Sequence, residues 1–192
     1  MTRIAFRCDA SLSIGSGHVM RCRNLAFELA KCGAEIFFLC RKQTGDLITL
    51  LAQDFSVLTL AENQYHHMPF DSTNARSIYA STLGCCQEKD ANDCLDILLL
   101  NEINALDWII VDHYGLDFVW EECISTELSR SSPRLLVIDD LADRFHTADV
   151  LVDQNFYGNH TIERYDDLLP KYCQQLVGPK YALLGPEYRH LH

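Results

Sequence analysis

The segment DASLSIGSGHVMRCRNLAF (residues 9–27) crowds two glycines, a histidine and an arginine into the approach to a helical pattern. Gly15 and Gly17 permit positive φ and let a ligand come close to backbone N–H groups. A helix starting near Gly17 or His18 aims its unpaired N–H groups and positive dipole end at that ligand. The same helix end disfavours a cation, so a histidine there keeps the neutral imidazole that can take a proton from water. Arg21 shares a helix face with His18. It could hold a phosphate or carbonyl, or pair with Asp9 or another carboxylate; taken alone, a surface salt bridge is the simpler reading. The spacing is not G-x-G-x-x-G, because Met20 stands at the third glycine position, and no Gly-Lys-Ser/Thr follows as in a Walker A loop. On spacing alone the loop fits a structural turn as well as a ligand cradle.

Other polar groups are less specific. In DHYG (112–115), Asp112 reads as a cap for the following helix, with Asp117 a competing candidate. His113 and Tyr114 read as partly buried strand-end side chains. Asp139 and Asp140 are adjacent at a strand end and so point in different directions, which suits single hydrogen-bond acceptors better than an acid/base pair. His66, His67, His190 and His192 recur at no ligand spacing, and no metal site is read into them. G-x-S-x-G is absent. The 9 cysteines contain no CxxC pair and read as reduced, mostly buried thiols of a cytoplasmic protein. With 16 basic and 27 acidic residues, the net charge of −11 argues against nucleic acid or an anionic membrane surface as a partner. The N-terminus lacks a signal-peptide pattern, and no apolar run reaches membrane-spanning length.

The elements that position these groups follow from the apolar periodicity. Strands are predicted at RIAFRC (3–8), AEIFFLC (34–40), SVLTL (56–60), DWIIVD (107–112), PRLLVIDD (133–140) and ADVLVDQN (148–155). Helices are predicted from His18 to a stop at Gly33, over about 45–53, after Lys89, and over LDFVWEECISTELS (116–129). Residues 61–86 read as a loop followed by a helix, and the last thirty residues as loop and connector. Strand–helix alternation with non-alternating apolar strands points to an α/β, Rossmann-like domain with a mainly parallel sheet flanked by helices. Ligands of such sheets bind beyond the carboxyl ends of the strands, where the unusual polar residues fall.

Four blocks in order then carry a resemblance: FRCDASLSIGSGHVMRCRNLAFEL, IIVDHYGLDFVWE, LLVIDDLADRFHTADVLVDQN and YALLGPEY. Together they resemble the UDP-sugar hydrolases of pseudaminic acid biosynthesis, which act on UDP-2,4-diacetamido-2,4,6-trideoxy-β-L-altropyranose and are similar to two-domain GT-B glycosyltransferases. The resemblance implies that residues 1–185 form one half of a GT-B-type architecture. Residues 186–192 would then begin a connector to a second, nucleotide-binding domain absent from this chain. It implies that His18 is the base that activates water for attack on the anomeric carbon, releasing UDP with inversion. Asp9, Gly15, Gly17, Arg21 and Tyr114 would bind substrate, with no cofactor and no metal required. The family's YALLRPEF reads YALLGPEY here, with Gly185 in place of the arginine and Tyr188 in place of the phenylalanine. Without the second domain, the chain alone is expected to bind UDP poorly and turn over slowly. A glycosyltransferase domain of the same architecture and a non-catalytic module are the alternatives.

Overall fold

The computed structural model describes residues 1–63, 79–158, 163–185 and 188. Seven strands, β1 (Arg3–Cys8), β2 (Glu35–Arg41), β3 (Ser56–Leu60), β4 (Trp108–Asp112), β5 (Arg134–Ile138), β6 (Val150–Asp153) and β7 (Gln174–Val177), form one sheet in the order β3-β2-β1-β4-β5-β6-β7. Every pairing is parallel. The order doubles back at β1, so β1 lies between β2 and β4. The crevice between β1 and β4 is the switch point at which open α/β sheets place their ligands.

Both faces of the sheet are covered, which explains why the strands are apolar without alternation. Helices α1 (Gly17–Lys31) and α2 (Ile48–Leu51) lie on the face carrying Ile4, Phe6, Phe38 and Ile110. Helices α3 (Gln87–Leu100) and α4 (Phe118–Glu127) cover the face carrying Leu39, Ile109, Val111 and Val137, with Trp120 fully buried between. Val19, Cys22 and Ala26 form the buried stripe of α1 at the expected three- and four-residue steps.

Two expectations need correction. Helix α3 begins at Gln87, ahead of the predicted start after Lys89. The reason is tertiary: the Gln87 side chain accepts hydrogen bonds from the backbone N–H groups of Asp117 and Trp120, fixing the first turn of α3 against α4. The C-terminal region contains β7, where only loop was expected. Its sequence QQLV pairs with β6 at the sheet edge, and exposed glutamines hide an edge strand from an apolar pattern. The predicted helix within 61–86 falls mostly outside the described residues, which there show a short 3₁₀ turn at Ala80–Leu83. His66, His67, His190 and His192 also lie outside the described residues. Of the cysteines, all of them free, Cys8, Cys22, Cys40 and Cys94 are buried, whereas Cys32 and Cys86 are exposed.

Beneath the carboxyl ends of β1 and β2 lies a buried ionic cluster. Arg7 and Arg41 both donate to Asp90 from α3, and Arg7 also makes a two-point contact with Asp9 at 2.7 and 2.9 Å. The Trp120 indole N–H donates to Asp90 at 3.0 Å. Burial pushes the Asp90 carboxyl up, but the two guanidinium groups outweigh it and hold Asp90 below its ordinary value. The cluster ties α3 to the strands whose ends carry the site.

Candidate active site

The loop after β1 is closed on itself before α1 begins. Gly15 N–H donates to Ser11 O at 2.8 Å and Ile14 N–H to the Ser11 hydroxyl at 3.1 Å. This turn holds Gly15 at φ +82°, a conformation that costs other residues about 1–2 kcal/mol. Gly17 is different: it has no positive φ and is the first residue of α1. No atom lies within 4 Å of where its Cβ would stand, so its missing side chain leaves space above the helix end.

His18 projects from this first turn and is 6% exposed. Its Nδ1 is 2.5 Å from Oδ1 of Asp112, the last residue of β4. Arg21 grips the same carboxylate through Nε to Oδ2 at 2.5 Å and Nη2 to Oδ1 at 2.6 Å. Burial pushes the Asp112 carboxyl up, but the hydrogen bonds and charges of Arg21 and His18 win and hold it well below the usual carboxylate range. An ionised carboxylate only accepts. Nδ1 of His18 therefore carries the proton that it donates to Asp112, and Nε2 is the ring nitrogen left to exchange a proton with a ligand. The Cys22 thiol, raised by burial to about 11, adds a weak S–H donor to Asp112 at 3.6 Å.

A second carboxylate continues the array. Asp140, beyond the end of β5, accepts from Arg21 Nη1 at 3.1 Å and from the Tyr114 hydroxyl at 2.5 Å. The Tyr114 ring meets the His18 ring edge-on, with centroids 4.4 Å apart, and Tyr79 packs on the other side of Tyr114 at 5.0 Å. Burial, followed by the Asp140 contact, pushes the Tyr114 phenol above its ordinary value, so it stays a donor at neutral pH. These groups open onto a cleft of about 390 Å³, whose walls are the β1–α1 loop, the first two turns of α1, Tyr114, Gln154 and Leu183.

The structure therefore brings Gly17, His18, Arg21 and Tyr114 to one cleft, with Gly15 shaping the loop beside it. Asp9 is placed behind the site instead. It is fully buried, both oxygens accept from Arg7, Oδ1 also accepts from the Arg41 N–H at 2.7 Å, and His113 Nε2 is 3.4 Å from Oδ2. Arg21 pairs with Asp112 and Asp140, not with Asp9 or as a lone surface bridge.

Asp112 is not a helix cap; Asp117 is, accepting from Val119 N–H at 2.9 Å. His113 is buried, accepts the Gly115 N–H on Nδ1, and is pushed toward the neutral form chiefly by burial. A Cβ at Gly115 would stand 3.0 Å from that ring, so the glycine lets the chain turn tightly enough to present Tyr114. Asp139 and Asp140 do diverge: Asp139 pairs with Arg144 in the interior while Asp140 faces the site. The roles of Asp112 and Asp140 were hidden because their partner, Arg21, lies across a parallel crossover. Their shared position at strand carboxyl ends was the one available signal. Among the described residues no group of three or more His, Cys, Asp or Glu side chains is disposed to hold a metal ion, and no helix is long and apolar enough to cross a membrane.

Comparisons with known proteins bear on the family resemblance and the fold. The chain is 26% identical over 186 residues to UDP-2,4-diacetamido-2,4,6-trideoxy-beta-L-altropyranose hydrolase from Campylobacter jejuni subsp. jejuni serotype O:2, covering 97% of this chain and 53% of that protein. It resembles a UDP-sugar hydrolase. The chain thus spans about half the length of this curated relative. The fold is similar to that of Acinetobacter baumannii MurG, a GT-B protein, with a TM-score of 0.53 and 12% identity over 93% of this chain and 46% of that one. No family model matches the chain. The likeness to the hydrolase and the Rossmann-like, half-GT-B fold bear out the resemblance carried by the four sequence blocks.

Proposed function

We propose that this chain is the water-activating half of a nucleotide-sugar hydrolase acting on a UDP-2,4-diacetamido-2,4,6-trideoxyhexose. Nε2 of His18 takes a proton from a water in the cleft as the water oxygen bonds to the anomeric carbon. The bond from that carbon to the diphosphate oxygen breaks, and UDP leaves with the electron pair. A single displacement inverts the anomeric centre. The imidazolium formed is stabilised by Asp112, which Arg21 holds in place, in the manner of other carboxylate-oriented histidine bases.

The observation that supports this reading best is the fixed tautomer of His18 in a cleft where the nearby carboxylates are already engaged. Asp112 accepts from His18 and Arg21, and Asp140 from Arg21 and Tyr114. Ordinary glycosidases need a free carboxylic acid to protonate a poor leaving group. UDP departs as a stabilised anion, so one base suffices. The likeness to the hydrolase supports the substrate class.

We read residues 1–185 as this domain and 186–192 as the start of a connector toward a nucleotide-binding domain that would hold uridine and diphosphate. The free cysteines fit a reducing, cytoplasmic setting. Asp9, on this reading, acts by positioning the β1 loop from below.

The test is to incubate a two-domain form with the UDP-sugar in ¹⁸O-water, without any acceptor, and follow the sugar by NMR and mass spectrometry. Free sugar of inverted configuration carrying ¹⁸O at the anomeric hydroxyl is expected, and His18→Ala should abolish it. Release of UDP only after a hydroxyl acceptor is added would identify a glycosyltransferase, the reading that the GT-B fold also accommodates. No release under either condition would leave a non-catalytic module.

A further inference from the structure

Two carboxamides in the cleft each commit one polar atom to the backbone of the same residue. Asn24, on the second turn of α1, donates from Nδ2 to Leu183 O at 3.1 Å. Gln154, just past β6, accepts on Oε1 from Leu183 N–H at 3.1 Å. The segment around Leu183 is thereby strapped across the mouth of the cleft, between α1 and the end of β6, and Leu183 becomes its wall opposite the β1–α1 loop.

These contacts fix the orientation of both amides, which an unpaired carboxamide would leave open. With Nδ2 turned to Leu183, Asn24 keeps Oδ1 as an uncommitted acceptor. With Oε1 turned to Leu183, Gln154 keeps the two N–H groups of Nε2 as uncommitted donors. Neither atom has a partner among the described residues, and both side chains line the His18 cleft. Beside them stand the apolar side chains of Ile14, Met20 and Leu183. The cleft therefore presents one acceptor, one donor group and a small apolar wall.

We propose that Asn24 and Gln154 form a secondary-amide subsite that selects an acylamino substituent of the sugar. The ligand N–H donates to Asn24 Oδ1, its C=O accepts from Gln154 Nε2, and its methyl group rests on the apolar wall. A hydroxyl in the same place donates and accepts only through one oxygen and brings no methyl group to the apolar wall. This subsite rests on the reading of the cleft as a sugar site and adds what distinguishes one sugar from another. The strap itself makes Asn24 and Gln154 positioning residues for Leu183 as well.

The test compares, on the 192-residue chain, titration of a 2,4-diacetamido-2,4,6-trideoxyhexose with the 6-deoxyhexose bearing hydroxyls at those carbons, read by the side-chain NH₂ and Leu183 N–H signals in ¹⁵N-resolved NMR. The acetamido sugar should bind at least about tenfold more tightly and shift the Gln154 NH₂ pair, the change expected when one or two buried hydrogen bonds are made or lost. Gln154→Glu keeps an oxygen for Leu183 N–H but removes the donors. It should leave the melting temperature and the Leu183 signal in place while erasing the preference. Equal binding of the two sugars, a preference that survives Gln154→Glu, or no binding of the acetamido sugar would each overturn the proposal. Its failure is separable from that of the hydrolase reading. A protein that binds the acetamido sugar here but never releases UDP keeps the subsite and loses the hydrolase. One that hydrolyses acetamido and hydroxyl UDP-sugars equally well does the reverse.

Discussion

Asp112 Oδ1 and His18 Nδ1 are 2.5 Å apart although 94 residues separate them in the chain. The carboxylate fixes which ring nitrogen holds the proton, so replacing it should act on chemistry more than on binding. Asp112→Asn is expected to lower the rate of UDP release by about 10³–10⁴-fold with little change in KM, and His18→Ala by about 10²–10⁴-fold. Steady-state kinetics of a two-domain form provide the check. A loss confined to KM would show that the pair binds substrate without serving as base.

Arg21 and Tyr114 are linked through Asp140, which accepts from both. Tyr114→Phe removes one donor and leaves Asp140 with Arg21 alone. The expected result is a rate loss of about tenfold, the order of one hydrogen bond to a charged group, with the fold unchanged by circular dichroism. A variant with full activity would restrict Tyr114 to packing against His18.

Acid should destabilise this fold through its buried carboxylates. For Asp112, Asp9 and Asp90, burial pushes the carboxyl up, but arginine and histidine partners outweigh it and leave each below its ordinary value when folded. An unfolded aspartate titrates near about 3.9. Stability from these groups is thus fully present above that value, and it is lost progressively as the pH falls through the lower folded values. Urea midpoints should ease down below about pH 6.5, where the unfolded His113 ring takes a proton that the buried ring resists, and drop steeply below pH 4. A midpoint unchanged at pH 2 would contradict the ion pairs.

Asp90 accepts from Arg7, Arg41 and Trp120 at once. Asp90→Asn takes the shared charge from two buried guanidinium groups, leaving Arg7 with Asp9 and Arg41 with Asp93, and should cost up to about 3–5 kcal/mol by chemical denaturation. Loss of less than about 1 kcal/mol would mean that water reaches the cluster.

The two glycines of the loop should respond in opposite ways. Gly15→Ala places a side chain at φ +82° and should cost about 1–2 kcal/mol. Gly17→Ala meets no atom within 4 Å and exchanges glycine for alanine in a helix, so stability should hold or rise by up to about 1 kcal/mol. If the space above Gly17 belongs to substrate, activity nevertheless falls in that stable variant. Melting curves and rates measured on the same samples separate the two effects.

Much of this architecture is visible in the chain itself. The strands RIAFRC and SVLTL and the helix that stops just before Gly33 lie where apolar periodicity puts them, because burial on one or both faces dictates that pattern. Strand QQLV is not visible, since edge pairing needs no apolar face. The start of α3 depends on Gln87 meeting α4, a contact between distant segments. At the site, GSGH marks the loop, but which carboxylate meets Arg21 is set by the crossover that lays β4 beside β1. Local spacing carries no trace of that. It also could not distinguish Asp9, sealed under Arg7, from Asp112, since both are strand-end aspartates.

The placement of β1 beside β4 has a consequence for how the protein comes into being. His18 and Arg21 leave the ribosome long before Asp112 and Asp140 exist. Until then the glycine loop is a cationic stretch with nothing to hold its histidine in register. A fragment ending before β4 could make the β1–α1–β2 hairpin of elements and still lack any defined proton acceptor. The carboxylates that orient His18 and Arg21 are thus in place only once β4 and the residues just after β5 have joined the sheet.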